Sequence, residues 1–316
     1  MTITINNINH QIPQSWNELT LKQQLTIYHI LLSNMHGLLP DVAENIATKR
    51  IAIAQFLLGL TNTRKWRLDL QSEYGAEDGD TLFIGELDAV ARACTDWLFE
   101  RIEEKEGYPE QYRIEFGLTK TPWPQIEYKN RKSGKKKIWC GPADALANVT
   151  IYELGMAFYQ FEEYLRTKQI EHLNRLLAIL WRPSKPSTPE NRRSGYEGDH
   201  RLPLLKHEAM IPKRMKKIAG LPKEVKQLLL FWFASCRMKI IEAYPNIFKA
   251  PPAAGERVGN DYSWGGVLLS LAGGLVHLDA VAQHTYSNAF TYLSYLEDQR
   301  IEQERELLRQ RQQQRR

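Results

Sequence analysis

Between Val149 and Leu165 the sequence spells out a helix from its first residue. Thr150 and Glu153 have the spacing of a capping box, in which a hydroxyl and a carboxylate each satisfy a backbone N–H that the first helical turn leaves open. Val149 and Leu154 flank that start as a hydrophobic staple, and Leu154, Phe158, Phe161 and Leu165 recur at intervals of three or four. A segment with its own start signal and one apolar stripe folds as a helix with that stripe turned to a core.

The same grammar recurs along the chain. Thr20 and Gln23 open a run of Leu21, Leu25, Tyr28 and Leu32 that Gly37 and Pro40 close. Further helices are expected from about Asp41 (Ile46, Ile53, Phe56, Leu57, Leu60) and from about Gly85 (Leu87, Val90, Cys94, Leu98, Ile102). Leu173, Leu176, Leu177 and Leu180 make another, stopped by Pro183, and Pro222 precedes one carrying Val225, Leu229, Trp232, Cys236 and Ile240. Val267 to Leu275 reads as a helix broken at Gly273-Gly274, and Asp279 as the cap of a last one through Ala289, Tyr292 and Leu296. Thr20 and Thr150 open alike, but the residues after them do not align, so no internal repeat is read.

Period-two patterns are few. Ile3, Ile5, Ile8 and Ile12 around Asn6-Asn7 predict a small hairpin, and Ile126 with Tyr128 and Ile138 with Cys140, either side of Ser133-Gly134, predict a second over residues 124–140. Residues 66–70 and 82–84 suit short strands. The expected fold is mainly α and helical bundle-like, with a small N-terminal β-hairpin and a central basic β-hairpin. Four segments follow: residues 1–110 (hairpin plus helices), 111–141 (β-hairpin insertion), 142–296 (helical domain) and 297–316 (a charged C-terminal helix or tail). The stretch 183–203, rich in Pro, Ser, Gly and charge, reads as an exposed loop or hinge.

Of 316 residues 43% are hydrophobic, enough to fill a core, and the formal charge of +5 is too small for a chain that coats duplex DNA. Cys94, Cys140 and Cys236 are odd in number and far apart, which predicts three reduced thiols rather than a disulfide framework or zinc site, and hence a cytosolic protein. The start MTITINNINHQIP has no secretory pattern, and the longest apolar run, Leu228 to Cys236, is too short to span a membrane.

No pattern of residues composes a catalytic site, a metal site or a cofactor-binding loop. Phosphate-cradling and nucleophile-elbow motifs do not occur, and His277/His284 and His29/His36 are spaced seven apart with no companion ligand. Ser133 and Lys136 satisfy S-x-x-K, but a lysine-rich turn cannot desolvate a lysine into a base. What stands out is charge: Lys129, Arg131, Lys132, Lys135, Lys136 and Lys137 crowd the predicted hairpin turn, where they face solvent or an acidic partner. Lys206 to Lys226 is a second basic stretch, either a surface helix or a phosphate-tracking one. Phe231, Trp232 and Phe233 read as core, and Trp264 beside Gly265-Gly266 as either a contact residue or a buried anchor.

The segments IPQSWNELTLKQQL, GPADALANVTIYEL, LNRLLAILWRP, IAGLPKEVKQLLLFWF and WGGVLLSLAGG, followed by the YLSYLEDQ helix, together resemble a family of uncharacterised proteins from phages and prophages of Bacteroidetes-type bacteria, met near tail-tube and tape-measure genes. The resemblance spans most of the chain in order. It implies a virion-morphogenesis protein, a tail assembly chaperone or tail component, working in the host cytoplasm or the virion by protein–protein binding to tape-measure or tube proteins. It supplies no catalytic residues. Two other readings remain open: a nucleic-acid-associated packaging or regulatory protein that uses the basic patches, and an enzyme with an unfamiliar site.

Overall fold

The computed structural model describes residues 2–5, 8–32, 46–59, 89–101, 112–129, 136–186, 188, 199–248, 263–273 and 275–314. The fold is mainly helical, with small antiparallel sheets. Two compact units form: Met1–Pro122 with Pro222–Ser235, and Trp123–Leu221 with Cys236–Arg316. The chain therefore divides at other places than the four consecutive segments expected. The central hairpin is no separate insertion, because Gln125–Lys129 and Lys136–Cys140 form one sheet with Arg182–Pro183, inside the second unit.

In the first unit, Thr2–Ile5 and Ile8–Gln11 pair as the expected hairpin. Helix Leu21–Leu32 starts where Thr20 and Gln23 place it: Thr20 N–H donates to Gln23 Oε1 at 2.9 Å. Ile46–Leu57 is the next helix, and its buried Ala54 meets Ile12, Leu58, Ala91 and Cys94 in one apolar cluster. The helix expected through Ile102 stops early. Residues 89–95 are helical, Asp96–Leu98 is a 3-10 turn, and Phe99–Arg101 is a strand paired with Tyr112–Ile114. The apolar spacing that suggested helix continuation at Leu98 serves instead to bury Leu98 in the turn.

Phe231 is the aromatic hub of this unit, with Trp16, Tyr28 and Phe116 at ring-centroid distances of 5.0, 5.2 and 5.3 Å. Its neighbours Trp232 and Phe233 are fully buried, as their spacing predicts, and Trp232 donates to the Thr119 carbonyl at 3.2 Å. They lie on helix Lys223–Ala243, which gives residues up to Ser235 to the first unit and the remainder to the second.

The second unit is built on two helices, Ile151–Thr167 and Ile170–Leu180, joined through Lys168 in a left-handed conformation (φ 58°). Thr150 caps the first with the full capping box. Helix Ile211–Ile218 packs on the second, burying Ile211, Arg214 and Ile218. Helix Ser263–Ala272 lies against Ile151–Thr167, because Gly155 leaves room for Trp264: a Cβ there would sit 3.0 Å from Trp264 Cγ.

Asp279 does not cap the last helix. It falls in the short helix Leu278–Ala282, and the long helix Tyr286–Gln314 starts after Thr285, which bridges to Thr150. The expected pattern in the central hairpin is also out of phase on its second strand. Ile138 is exposed, whereas Trp139, opposite Ile126 and next to Pro183 in the sheet, is buried.

Candidate functional site

The strongest concentration of chemistry lies inside the second unit, and it begins with the capping box. Glu153, three residues into its helix, is 3% exposed, so its carboxylate needs more than one N–H partner. Two arginines supply them. Arg182 Nη1 donates to Glu153 Oε1, and Arg201 Nη2 lies 3.3 Å from Oε2. Asp199 completes the group, accepting from Arg201 Nε at 2.8 Å and from Arg182 Nη2 at 3.3 Å. Arg201 also ties distant backbone together, donating to the carbonyls of Leu180 and Asn148, each at 3.1 Å.

Local structure explains how these residues meet. Arg182 is on a short strand that begins two residues after helix Ile170–Leu180 ends. Ser184 bridges to Arg201, and Lys185 N–H donates to the His200 carbonyl at 2.7 Å, so the two ends of the segment 183–203 are held side by side. The expected exposure holds at Ser184, Pro186, Thr188 and His200 and is corrected at Arg201, which is 1% exposed, while residues 187 and 189–198 fall outside the described residues.

Burial depresses the pKa of Arg182, and the nearby Arg201 charge adds to the effect while Glu153 and Asp199 oppose it. Arg214, which donates to the Ala178 carbonyl at 2.8 Å, is pulled down to about 10, mainly by burial and then by Arg182. Burial, with Asp199 next, raises the Cys140 thiol.

A cavity of about 370 Å³ opens beside this quartet, with Asn148, Thr150, Glu153, Lys185, Asp199 and Arg201 on its polar side and Leu204, Leu205 and Ala282 among its apolar walls. Both Glu153 oxygens already accept from arginines, so proton abstraction by this carboxylate would require giving up a charged hydrogen bond. The quartet is balanced, two carboxylates against two guanidiniums, and holds three chain segments together.

A second depression, of about 330 Å³, sits at the root of helix Tyr286–Gln314. Leu271, Val281, Ala289 and Tyr292 form its apolar surface, and His284 and Asn288 supply polar groups. Tyr292 is 51% exposed, and Tyr295 and Leu296 further along the helix are also exposed. This is an open apolar surface rather than a sealed pocket.

The residues expected to form a contact surface are placed as follows. Lys129 and Lys136 stand opposite each other at the last pair of the central hairpin, and Lys137 opposite Tyr128. Arg131, Lys132 and Lys135 lie outside the described residues. Trp264 is half-buried, with Phe158, Phe248 and Phe290 at centroid distances of 5.4, 6.4 and 6.1 Å, so its ring is engaged inside the unit. In the second basic stretch Lys213, Lys216 and Lys217 are exposed, but Arg214 turns inward.

Sequence reasoning missed Arg182, Asp199 and Arg201. Asp199 and Arg201 sit in the charged, Pro-rich stretch read as a loop, and Arg182 stands just before it with no sign of burial; the one available signal was Glu153, a capping acid in an otherwise apolar neighbourhood. Among the described residues no three His, Cys, Asp or Glu side chains converge as a metal site, and no helix is long and apolar enough to cross a membrane. Comparisons with family models, curated proteins and solved structures return no match for this chain.

Proposed function

We propose that this protein is a phage tail morphogenesis factor, an assembly chaperone or tail component that acts by protein–protein binding. The observation that carries the reading is the open apolar groove of Leu271, Val281, Ala289 and Tyr292. Helix-in-groove recognition needs such a surface, with apolar walls for the partner's side chains and a few polar groups to set its register. A long helical partner of the tape-measure type would engage such a surface through the apolar face of an amphipathic helix. The tail-region resemblance of segments such as GPADALANVTIYEL and WGGVLLSLAGG supports the same choice.

The test is affinity capture of the tagged full chain from phage-producing cells, with nuclease treatment, followed by mass spectrometry. Wild-type protein retains a tape-measure or tube protein in stoichiometric amount, and Tyr292→Asp, at an exposed position, loses it. Retention by the variant would reject the groove.

A second reading has its own observation. Lys129 and Lys136 are register partners at the end of the central hairpin, next to Lys137, and the sequence between the two strands adds Arg131, Lys132 and Lys135, a concentration of positive charge in one turn. Nucleic acid is a partner of matching charge. Loss of every captured partner on nuclease treatment, with steep salt dependence of DNA binding by the purified protein, moves this reading to first place.

A further inference from the structure

The cavity beside the charged quartet carries donors on its wall that the chain itself does not use. Lys185 is half-buried there, and its backbone N–H donates to the His200 carbonyl at 2.7 Å, which holds its Cα at the cavity edge. Its ammonium has no ion-pair or hydrogen-bond partner among the described residues. The Thr150 hydroxyl oxygen accepts from the Glu153 N–H at 3.2 Å, which leaves the hydroxyl proton to be donated.

The charge around the cavity favours an anion. Glu153 and Asp199 line it, but each is already paired with both Arg182 and Arg201, two carboxylates against two guanidiniums. Lys185 is thus the uncompensated charge among the lining residues. Next to the quartet, Arg214 adds a buried guanidinium whose partners are the Ala178 and His207 carbonyls, and its Nη2 has no acceptor among the described residues. Burial is the first cause that lowers Arg182 and Arg214 and a neighbouring guanidinium the second, as a positive local potential requires. The helix start at Thr150 contributes little more, because the Ile151 and Glu153 N–H groups are taken by the His284 carbonyl and the Thr150 hydroxyl.

We propose that this cavity binds a small organic carboxylate, with its head on Lys185 Nζ and the Thr150 hydroxyl and a short aliphatic body against Leu204, Leu205 and Ala282. One spare ammonium beside one hydroxyl offers a donor to each carboxylate oxygen and matches a single negative charge. A cationic ligand would have to take Glu153 or Asp199 from its arginines, and a phosphate dianion would leave half its charge unmatched on the wall. A volume of about 370 Å³ suits a small molecule held by apolar walls and a few placed polar groups. The proposal uses neither the apolar groove nor the tail-assembly reading.

The test is isothermal titration calorimetry of the full chain with acetate, butyrate and hexanoate, and with hexanol as the neutral analogue. Hexanoate binds saturably and more tightly than butyrate, and butyrate more tightly than acetate, by up to about fourfold per buried methylene. Hexanol binds at least about tenfold more weakly than hexanoate, because it makes no charged hydrogen bond. Lys185→Met weakens hexanoate by a similar factor, and circular dichroism checks that the variant keeps its fold. Lys185 does not line the apolar groove, so binding of hexanoate there would survive this change. The absence of saturable hexanoate binding, equal affinity for hexanoate and hexanol, or wild-type affinity in Lys185→Met overturns the proposal.

Discussion

Arg182 and Glu153 form an ion pair whose side chains are 0% and 4% exposed, across 29 residues of sequence. Such a pair contributes little net stability when intact, because both ions lost their water to form it, but removing one partner strands the other. Glu153→Gln leaves Arg182 and Arg201 short of a counter-charge and weakens the cap of its helix. The expected loss is about 3–5 kcal/mol, read by denaturant unfolding. The double change Glu153→Leu/Arg182→Met should lose clearly less than the single one, and a double variant as unstable as Glu153→Gln would show that the charges are not the cause.

Gly141 predicts a steric effect. A Cβ at this position would lie 2.7 Å from Trp181 Nε1 and 3.3 Å from the Trp123 carbonyl, the two groups that hydrogen-bond to each other at 2.9 Å. Gly141→Ala must push the indole away and break that bond, at a cost of about 1–3 kcal/mol. The shift of a buried tryptophan into a wetter site should red-shift the emission. Unchanged fluorescence and stability would mean the indole has room to move.

The Cys94 thiol, fully buried in the first unit, has its pKa raised by burial to about 11 from an ordinary value near 9. The folded state therefore holds this proton more tightly than the unfolded chain. The stability it contributes is fully present below pH 9 and is lost as pH rises through about 11. Comparing Cys94→Ala with wild type isolates the effect: the variant starts less stable, but its unfolding free energy should fall less steeply between those pH values. Parallel slopes would show that the thiol does not titrate there.

Much of the helical framework was legible in the sequence because it is written in short-range terms. Thr150 with Glu153 and Thr20 with Gln23 mark helix starts within four residues, and the stripe Leu154, Phe158, Phe161 states which side is buried. The charged quartet was not legible. Arg201 falls in the stretch read as an exposed loop, and nothing in the sequence marks Arg182 just before it; the pairing of Ser184 with Arg201 that draws the loop ends together depends on contacts far apart in sequence. The helix end at residue 95 was missed for a related reason: apolar spacing at Leu98 is compatible with both a helix and a tight turn followed by a strand. The basic turn was visible as composition, but only Lys129, Lys136 and Lys137 have described positions, and those on the backbone alone.

The split membership of helix Lys223–Ala243 also sets a schedule for synthesis. The N-terminal 122 residues cannot complete their core when they leave the ribosome, because Phe231, Trp232 and Phe233 have not yet been made. At ~10 residues per second the wait is on the order of 10 s. During that interval Trp16, Tyr28 and Phe116 lack the ring they are to pack around, so the nascent chain shows chaperones an unfinished aromatic surface until its last quarter begins to emerge.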